Sequence, residues 1–369
     1  MEDSIEDTQR RFEERRSTRG NGRGRPGIVD VAAIAEVSVG TASDALNGKG
    51  RMNQATRARV RAVASALGYY PSALGRSLQR NRLGMIGLAI RTFGGDPLQF
   101  LTVSYYTRFL NAATVAAQER GFALVALPPG EAEVLDDVPL DGAILTDPPP
   151  NDPLAKELHA RGIPFVSDLR QVDDPTALCV GNDQAKAVSK VCEHFFSQGT
   201  RRIGILVADS AEDYTLRSLE GFDAWIAAHP QVVGCVSRTN ILDSDSIEAA
   251  VAQLLSQDLH AVYTTEAPVG SYVVRAVQRH QRFAPEKKIL VAYCAEFATD
   301  SHMENVTRLS LHADEIAQEA VDLLATVLEG RVPEKPHRII ETSLHVRESS
   351  VANQPELPAQ RQRTPSKKK

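Results

Sequence analysis

The clearest charge pattern in the chain lies between Gly27 and Arg82, where eight Lys and Arg residues stand against three Asp and Glu residues. The whole chain carries a net charge of −5, so this segment is basic within an otherwise acidic protein. Lys and Arg side chains bind phosphate groups, and a compact basic segment is the electrostatic signature of a nucleic-acid-binding surface. A solvated charged face has the same composition, so charge alone leaves both interpretations open.

Helical periodicity inside this segment predicts a scaffold for such a surface. Apolar residues at i, i+3, i+4 and i+7 predict a first helix over Ile28–Ala35. Ser38 is suited to cap a second helix over Val39–Asn47, and Asn53 to cap a third, which Gly68 would end. The second helix is too short to be stable alone, so it must be docked by the other two.

The second helix is predicted to face outward with small side chains. Its outward residues are Val39, Gly40, Thr41, Ser43, Asp44 and Asn47. A short helix presented by two others can enter the major groove of DNA. The alternative is a three-helix packing motif without any role in DNA binding.

Patterns for catalysis or metal binding are missing from the sequence. The four cysteines, Cys179, Cys192, Cys235 and Cys294, form no Cys-x-x-Cys pair, and the nine histidines are dispersed. There is no Gly-x-Ser-x-Gly elbow and no phosphate-binding glycine loop. We therefore expect no metal, no cofactor and no enzymatic activity. Unpaired cysteines and short apolar stretches favour a cytoplasmic protein.

The remainder of the chain alternates between apolar, β-branched runs and helical patterns. Met85–Ile90 precedes Tyr105–Glu119, for example, and Arg202–Val207 precedes Leu216–Ala228. This alternation predicts parallel α/β sheets. Because roughly 265 residues exceed one compact sheet, two lobes with a cleft between them are expected.

The basic segment closely resembles the LacI/GalR family of bacterial repressors. The elements Asp-Val-Ala, Val-Ser-x-x-Thr, Leu-Asn, Thr-Arg, Leu-Gly-Tyr-x-Pro and Arg-Ser-Leu follow one another without gaps between Ile28 and Leu78. The resemblance implies an all-α helix-turn-helix head followed by a hinge helix. The expected partner is double-stranded DNA with a palindromic operator, bound by a homodimer.

The resemblance also implies roles for individual residues. Val39 and Gly40 would discriminate bases, while phosphate contacts would position the head. The residues expected at the DNA surface are Ser38, Val39, Gly40, Thr41, Ser43, Asp44, Asn47, Arg51, Asn53, Thr56, Tyr69, Ser72, Gly75 and Leu78. Leu78, in the hinge helix, would insert into a minor-groove step and bend the DNA.

Several residues of the head depart from the family pattern. Glu36 replaces a glycine in the turn, Ser72 replaces an asparagine cap, and Gly75 replaces an alanine in the hinge helix. Asp44 stands where the family has Arg or Lys. Its carboxylate can accept a hydrogen bond from cytosine N4, or it can form a structural ion pair with Lys49 or an arginine.

The later part of the chain resembles the sensor of the same family, a two-lobed α/β domain of the type I periplasmic-binding-protein fold. Ligands of such sheets bind at the carboxyl ends of the strands. The candidate effector-binding residues are Arg91, Phe93, Asp147, Asp168, Tyr214, Arg217, Glu266 and Cys294. A loop or lobe-packing role is the alternative for each of them.

Two departures argue against a common sugar as the effector. Ser218 stands where the family has an effector-anchoring arginine, with Arg217 one position early, and Cys294 replaces an aspartate after a strand. Because sugar hydroxyls are held by bidentate charged partners, the sequence predicts a small-molecule effector other than a common sugar, or none.

The expected domain order has five parts. A disordered arm at 1–26 precedes the helix-turn-helix domain at 27–71 and the hinge helix and linker at 72–82. The two-lobed effector-sensing and dimerisation domain covers 83–350, and a disordered basic tail covers 351–369. Arg23–Pro26 in the arm matches the core of a minor-groove hook, and a flexible basic arm without groove specificity is the alternative.

These observations together predict a sequence-specific transcriptional regulator that acts at the nucleoid, with a repressor favoured and an activator as the alternative. A solute-binding protein and an enzyme on the same two-lobed scaffold are the alternatives. The first has no use for a basic helix-turn-helix head, and the second would need one of the catalytic motifs that the sequence does not contain.

Overall fold

The computed structural model describes residues 8–13, 26–48, 50–69, 82–91, 103–128, 132–149, 151–168, 177–283, 288–298 and 301–352. The chain divides into two units, Met1–Gly84 and Met85–Lys369. They are called the head and the core below, and each is described by itself.

Three helices form the head: α1 (Ile28–Ile34), α2 (Val39–Leu46) and α3 (Gln54–Ala66). The predicted apolar stripes meet in one cluster, with buried residues from all three helices. The completely buried ones are Val31, Ala35, Ala42, Ala45 and Val60. The three predicted helices are therefore confirmed, with ends that differ by one residue.

Residues 8–13 are helical, although the sequence predicts disorder over the whole of 1–26. Phe12 packs against the apolar cluster of the head, and the side-chain amide of Gln9 donates a hydrogen bond to the carbonyl oxygen of Ala66 at 3.4 Å. Thr8 is buried. The prediction is wrong for these six residues, because Phe12 finds an apolar surface on the head that composition alone does not reveal.

The core contains two six-stranded sheets. The first has the order β11-β5-β4-β3-β1-β2 and the second the order β12-β10-β9-β8-β6-β7. The strands of the first sheet are β1 (Met85–Ile90), β2 (Ala123–Leu127), β3 (Gly142–Thr146), β4 (Phe165–Ser167), β5 (Leu178–Gly181) and β11 (His337–Ile339). Those of the second are β6 (Arg202–Ala208), β7 (Val233–Thr239), β8 (Ala261–Thr264), β9 (Leu290–Cys294), β10 (Thr307–Ser310) and β12 (Ser343–His345).

All strand pairs are parallel except β10 with β12. Parallel strands need crossover helices, which cover both faces of the sheet and bury the strands. The helices of the core are α4 (Ser104–Glu119), α5 (Val134–Asp137), α6 (Pro153–Ala160), α7 (Gln184–Ser197), α8 (Asp213–Ala228), α9 (Ser244–Leu255), α10 (Ala267–Phe283) and α11 (Ala313–Leu328). Short 3-10 helices lie at Ser301–Met303 and Glu348–Ser350.

The chain passes between the two sheets more than once. It leaves the first sheet after β5, builds the second through β10, and returns with α11 and β11 before β12. α11 packs into the apolar cluster of the first sheet. The predicted fold class, a helical head with a two-lobed α/β core, is thus confirmed. No helix among the described residues is long and apolar enough to span a membrane.

Candidate nucleic-acid interface and ligand cleft

Helix α2 begins with the predicted cap. The hydroxyl oxygen of Ser38 accepts a hydrogen bond from the backbone N–H of Thr41 at 3.0 Å, and the two hydroxyl oxygens lie 2.8 Å apart. A capping oxygen satisfies one of the N–H groups that the first helical turn leaves unpaired. The cap fixes the start of the helix immediately before Val39 and Gly40, both of which are exposed.

Helix α3 is held at both ends as the sequence predicts. The side-chain oxygen of Asn53 accepts a hydrogen bond from the backbone N–H of Thr56 at 2.7 Å. Gly68, just beyond the helix, has a φ of 62°, which glycine adopts without the steric cost that other residues incur. Helix α3 is thus bounded by two defined ends.

The residues predicted at a DNA surface fall into three groups. The exposed ones are Ser38, Val39, Gly40, Asp44, Asn47, Arg51 and Asn53, and the half-buried ones are Thr41, Ser43, Thr56 and Tyr69. The hinge residues Ser72, Gly75 and Leu78 lie outside the described residues, as do Lys49 and most of Arg23–Pro26. The exposed group covers the outer face of α2 and the loop that leads to α3.

Asp44 lies on the exposed face of α2. Among the residues that the structure describes, it forms no ion pair, so a structural pair with an arginine is not observed there. Its carboxylate lies beside Gly50, where a Cβ atom would come within 3.0 Å of Oδ2. Gly50, with a φ of 77°, leaves room for this carboxylate.

In the core, two aspartates follow neighbouring strands of the first sheet. Asp147 comes after β3 and Asp168 after β4. The backbone N–H of Asp147 donates a hydrogen bond to Oδ1 of Asp168 at 2.7 Å. The Tyr105 hydroxyl donates to Oδ2 of Asp168 at 3.0 Å, and the Tyr106 hydroxyl donates to Asp147. Two tyrosines from the first turn of α4 therefore hold both carboxyl groups.

The second sheet contributes two glutamates. Glu266 follows β8, and its carboxylate accepts a hydrogen bond from the Thr265 hydroxyl at 3.1 Å. The Tyr214 hydroxyl donates to the carbonyl oxygen of Thr265 at 2.9 Å, which ties α8 to the same loop. Glu212 immediately precedes α8.

The four carboxyl groups influence one another electrostatically. Burial raises the pKa of Asp147 to about 6 and that of Glu266 to about 7. Burial, followed by repulsion from Asp147, raises the pKa of Glu212 to about 8 and that of Asp168 well above its usual value. Asp147 also raises the pKa of Glu266 by its charge. The backbone N–H of Glu296, after β9, donates a hydrogen bond to the Ser104 hydroxyl at the start of α4 at 3.0 Å. This contact and the mutual repulsion place the carboxyl ends of the two sheets close together, and the space between them is called the cleft below.

The remaining effector candidates are placed differently. Arg91 is buried and forms an ion pair with Asp152 at 2.6 Å. Cys294 is buried at the end of β9, where burial raises the pKa of its thiol to about 12. Arg217 lies on the exposed side of α8, paired with Asp213 and Glu220. Phe93 lies outside the described residues.

The prediction that Arg217 is an effector-binding residue is thus corrected. Its neighbour Ser218 is completely buried, accepts a hydrogen bond from the Gln184 side-chain amide at 3.1 Å and donates one to the Tyr214 carbonyl oxygen. Successive helical residues are rotated by 100°, so an arginine one position early is turned out of the buried face. Arg217 does not join the four carboxyl groups.

Three residues of the cleft were missed by the sequence reasoning: Tyr105, Tyr106 and Glu212. Tyr105 was interpreted only as the start of an amphipathic helix. Two adjacent tyrosines in the first turn of that helix are the available signal, because the hydroxyl of a buried tyrosine needs a hydrogen-bond partner. Among the described residues, no three His, Cys, Asp or Glu side chains are placed to hold a metal ion.

Two family models match the chain. Residues 27–72 match the model described as bacterial regulatory proteins, lacI family. Residues 192–350 match the periplasmic binding protein-like domain. The first covers the three helices of the head, and the second covers every strand of the second sheet.

Curated relatives match over most of their length. The transcriptional regulator CelR of Thermobifida fusca is 26% identical over 340 residues, which cover 89% of this chain and 99% of the relative. The sucrose operon repressor of Klebsiella pneumoniae is 25% identical over 338 residues, 87% of this chain and 97% of that protein. Both are regulators rather than enzymes by name.

Solved structures agree in fold. A complex of the transcriptional regulator CelR with cellobiose aligns with a TM-score of 0.65 and 25% identity, over 88% of this chain and all of the other. The lac repressor dimer bound to operator and the anti-inducer ONPF aligns with a TM-score of 0.74 and 18% identity, over 89% of this chain and all of the other. The head thus matches the lacI family model, and over most of its length the chain is similar to transcriptional regulators whose fold has the same two-lobed core.

Proposed function

We propose that this protein represses transcription as a homodimer that binds a palindromic operator through α2 of each head. The observation that carries the proposal is the capped, outward-facing α2 within the residues that match the lacI family model. A two-fold symmetric dimer presents two such helices to two half-sites. Because its target is chromosomal DNA, the protein acts in the cytoplasm at the nucleoid.

The exposed residues of the head have two different roles in DNA recognition. Val39 and Gly40, in the first turn of α2, reach base edges, while Ser38, Asn47, Arg51 and Asn53 contact phosphates. Thr41, Ser43, Thr56 and Tyr69 complete the phosphate-contacting rim. The segment that contains Ser72, Gly75 and Leu78 orders on the operator as a hinge helix, and Leu78 acts as the minor-groove wedge.

The cleft of the core holds a small-molecule effector that alters operator affinity. Asp147, Asp168 and Glu266 are its polar partners, with Tyr214 and Arg91 close behind them. Differential affinity of the effector for two arrangements of the lobes is what shifts the equilibrium between them.

The prediction that the effector is not a common sugar rests on Ser218 and Cys294. Two observations count against it: four carboxyl groups line the cleft, and relatives are named for sucrose or bind cellobiose. Titration of a panel of mono- and disaccharides against the protein–operator complex tests whether a common sugar is the effector. A sugar that releases DNA several-fold, and fails to do so with Asp168→Asn, overturns the prediction.

Selection from a random duplex library tests the central proposal. Purified protein should enrich one palindromic sequence at moderate salt, and the recovered duplex should bind a dimer. A protein that enriches no sequence would not be a sequence-specific repressor. Enrichment of a single half-site bound by a monomer would overturn only the proposal that the protein binds DNA as a dimer.

A further inference from the structure

The outward face of α2 can be defined from burial. Ala42 and Ala45 are completely buried and mark the inner side of the helix. At 100° per residue, Gly40, Asp44 and Asn47 fall on the opposite side, within about 60° of one another. All three are exposed. Asp44 therefore lies on the same outer stripe as Gly40, one turn further along.

Asp44 is the one charged residue of α2, whose sequence is VGTASDAL. Within the described residues its carboxylate has no ion-pair partner. A carboxylate that faces DNA is repelled by the phosphates and loses water on contact, so it is unfavourable there without a hydrogen-bond donor. Gly40, beside it, carries no side chain that could reach further into the groove.

The major groove offers few donors to a carboxylate. Guanine presents the acceptors N7 and O6, thymine presents the acceptor O4, and adenine pairs its N6 donor with the acceptor N7. Cytosine presents the N4 amino group. A carboxylate is thus repelled by guanine and thymine, partly opposed by adenine and satisfied by cytosine.

We propose that Asp44 selects a cytosine in each half-site by accepting a hydrogen bond from its N4 amino group. This inference rests on the proposed binding of DNA through α2. It assigns to Asp44 both an attraction and a repulsion, since the same carboxylate that accepts from cytosine excludes guanine and thymine. The operator should carry a C·G pair at this step in both half-sites.

The test uses the full-length protein and a duplex library randomised across the half-site. The wild type should enrich cytosine at one position, and a duplex with guanine there should bind about 5- to 150-fold more weakly. Asp44→Ala should lose this preference while all other positions stay enriched. Asp44→Asn should shift the preference to adenine, because an amide can bond N6 and N7 together.

Glu36→Gln is the matched control, because it removes an exposed acid of the head outside α2. It should leave every base preference unchanged. The shift to adenine in Asp44→Asn is a gained property that misfolding cannot produce. If all three variants keep the wild-type preferences, Asp44 does not read a base. If the wild type enriches no sequence at all, the proposed function fails instead.

Discussion

The head and the core place their candidate residues in opposite environments. In the head, Val39, Gly40 and Asp44 are exposed on a helix whose start is fixed by a hydroxyl cap. In the core, Asp168 is buried and Asp147 is half-buried, and tyrosine hydroxyls hold both carboxyl groups. The side chains of the head are open to a large partner, whereas those of the core are largely shielded from solvent.

This difference determines what each region responds to. An exposed basic surface gains affinity from counterion release and therefore depends on salt. Buried carboxyl groups have raised pKa values and therefore respond to protons and to whatever neutralises them. We expect salt to act mainly through the head and pH mainly through the core.

The largest expected effect is the salt dependence of operator binding. With about six phosphate contacts, affinity should fall roughly a thousandfold or more between about 50 and 200 mM salt. Arg51→Gln should lower the slope of log affinity against log salt by about one. Arg238→Gln, an exposed arginine of the core, serves as the control and should not change it. Equal changes in both variants would mean that the salt dependence is not specific to the head.

The second prediction concerns the stability of the core against pH. The folded-state pKa values of Asp147, Glu266 and Glu212, about 6, 7 and 8, exceed the unfolded values near 4. Between about pH 4 and pH 8 the folded state thus binds more protons than the unfolded state. Stability therefore falls as pH rises through this window, by an amount on the order of 3 kcal/mol after discounting for screening.

Urea unfolding followed by Trp225 fluorescence measures this dependence. Trp225 is the single tryptophan of the chain and is buried in the second lobe. Glu266→Gln should flatten the loss of stability, whereas Glu248→Gln, exposed on α9, should not. A free energy of unfolding that stays constant or rises from pH 5 to pH 8 would contradict the prediction.

The two regions also differ in how far the sequence predicts them. Ser38 and Asn53 cap helices through backbone groups three residues away, so local patterns suffice. In the core, a hydrogen bond joins Tyr105 to Asp168, 63 positions later in the chain. The sequence predicts Asp147, Asp168 and Glu266 as effector-binding candidates because each follows a strand, and the carboxyl ends of parallel strands lie along one edge of a sheet. The outward orientation of the Arg217 side chain and the hydrogen bond from Tyr105 to Asp168 depend on tertiary packing, which no local sequence pattern encodes.

A third prediction contrasts two helical glycines. A Cβ atom on Gly221 in α8 would lie 2.5 Å from the Cα atom of Ala185 in α7, whereas at Gly40 the nearest atom is 3.8 Å away. Gly221→Ala should destabilise the core by roughly 2 kcal/mol, because backbone atoms of α7 must move. Gly40→Ala should stabilise the head by up to about 1 kcal/mol through helix propensity.

Urea unfolding with Trp225 fluorescence reports the first variant, and hydrogen exchange of the Val60 and Val63 amides reports the second. The two substitutions are chemically the same, so only their surroundings differ. If Gly221→Ala were neutral, α7 and α8 would not be packed at their backbones, and the close approach would not constrain the second lobe.

The smallest expected effect concerns Glu36, in the turn between α1 and α2. Its φ of 54° lies in the left-handed region, which costs a residue with a side chain about 1–2 kcal/mol. Glycine avoids this cost but has more freedom to lose on folding, about 0.4–1 kcal/mol. Glu36→Gly should therefore stabilise the head by about 0.5–1 kcal/mol.

Hydrogen exchange of the Val60 amide measures this change, with Glu36→Ala as the control. Alanine removes the charge but keeps Cβ, so it retains the strain and should not stabilise the head. If both variants stabilise it equally, charge rather than backbone strain is responsible. The stability of the core, followed by Trp225, should not change in either variant, since Glu36 belongs to the other unit. A gain confined to the head and to glycine would show that a strained turn holds α2 at a measurable cost.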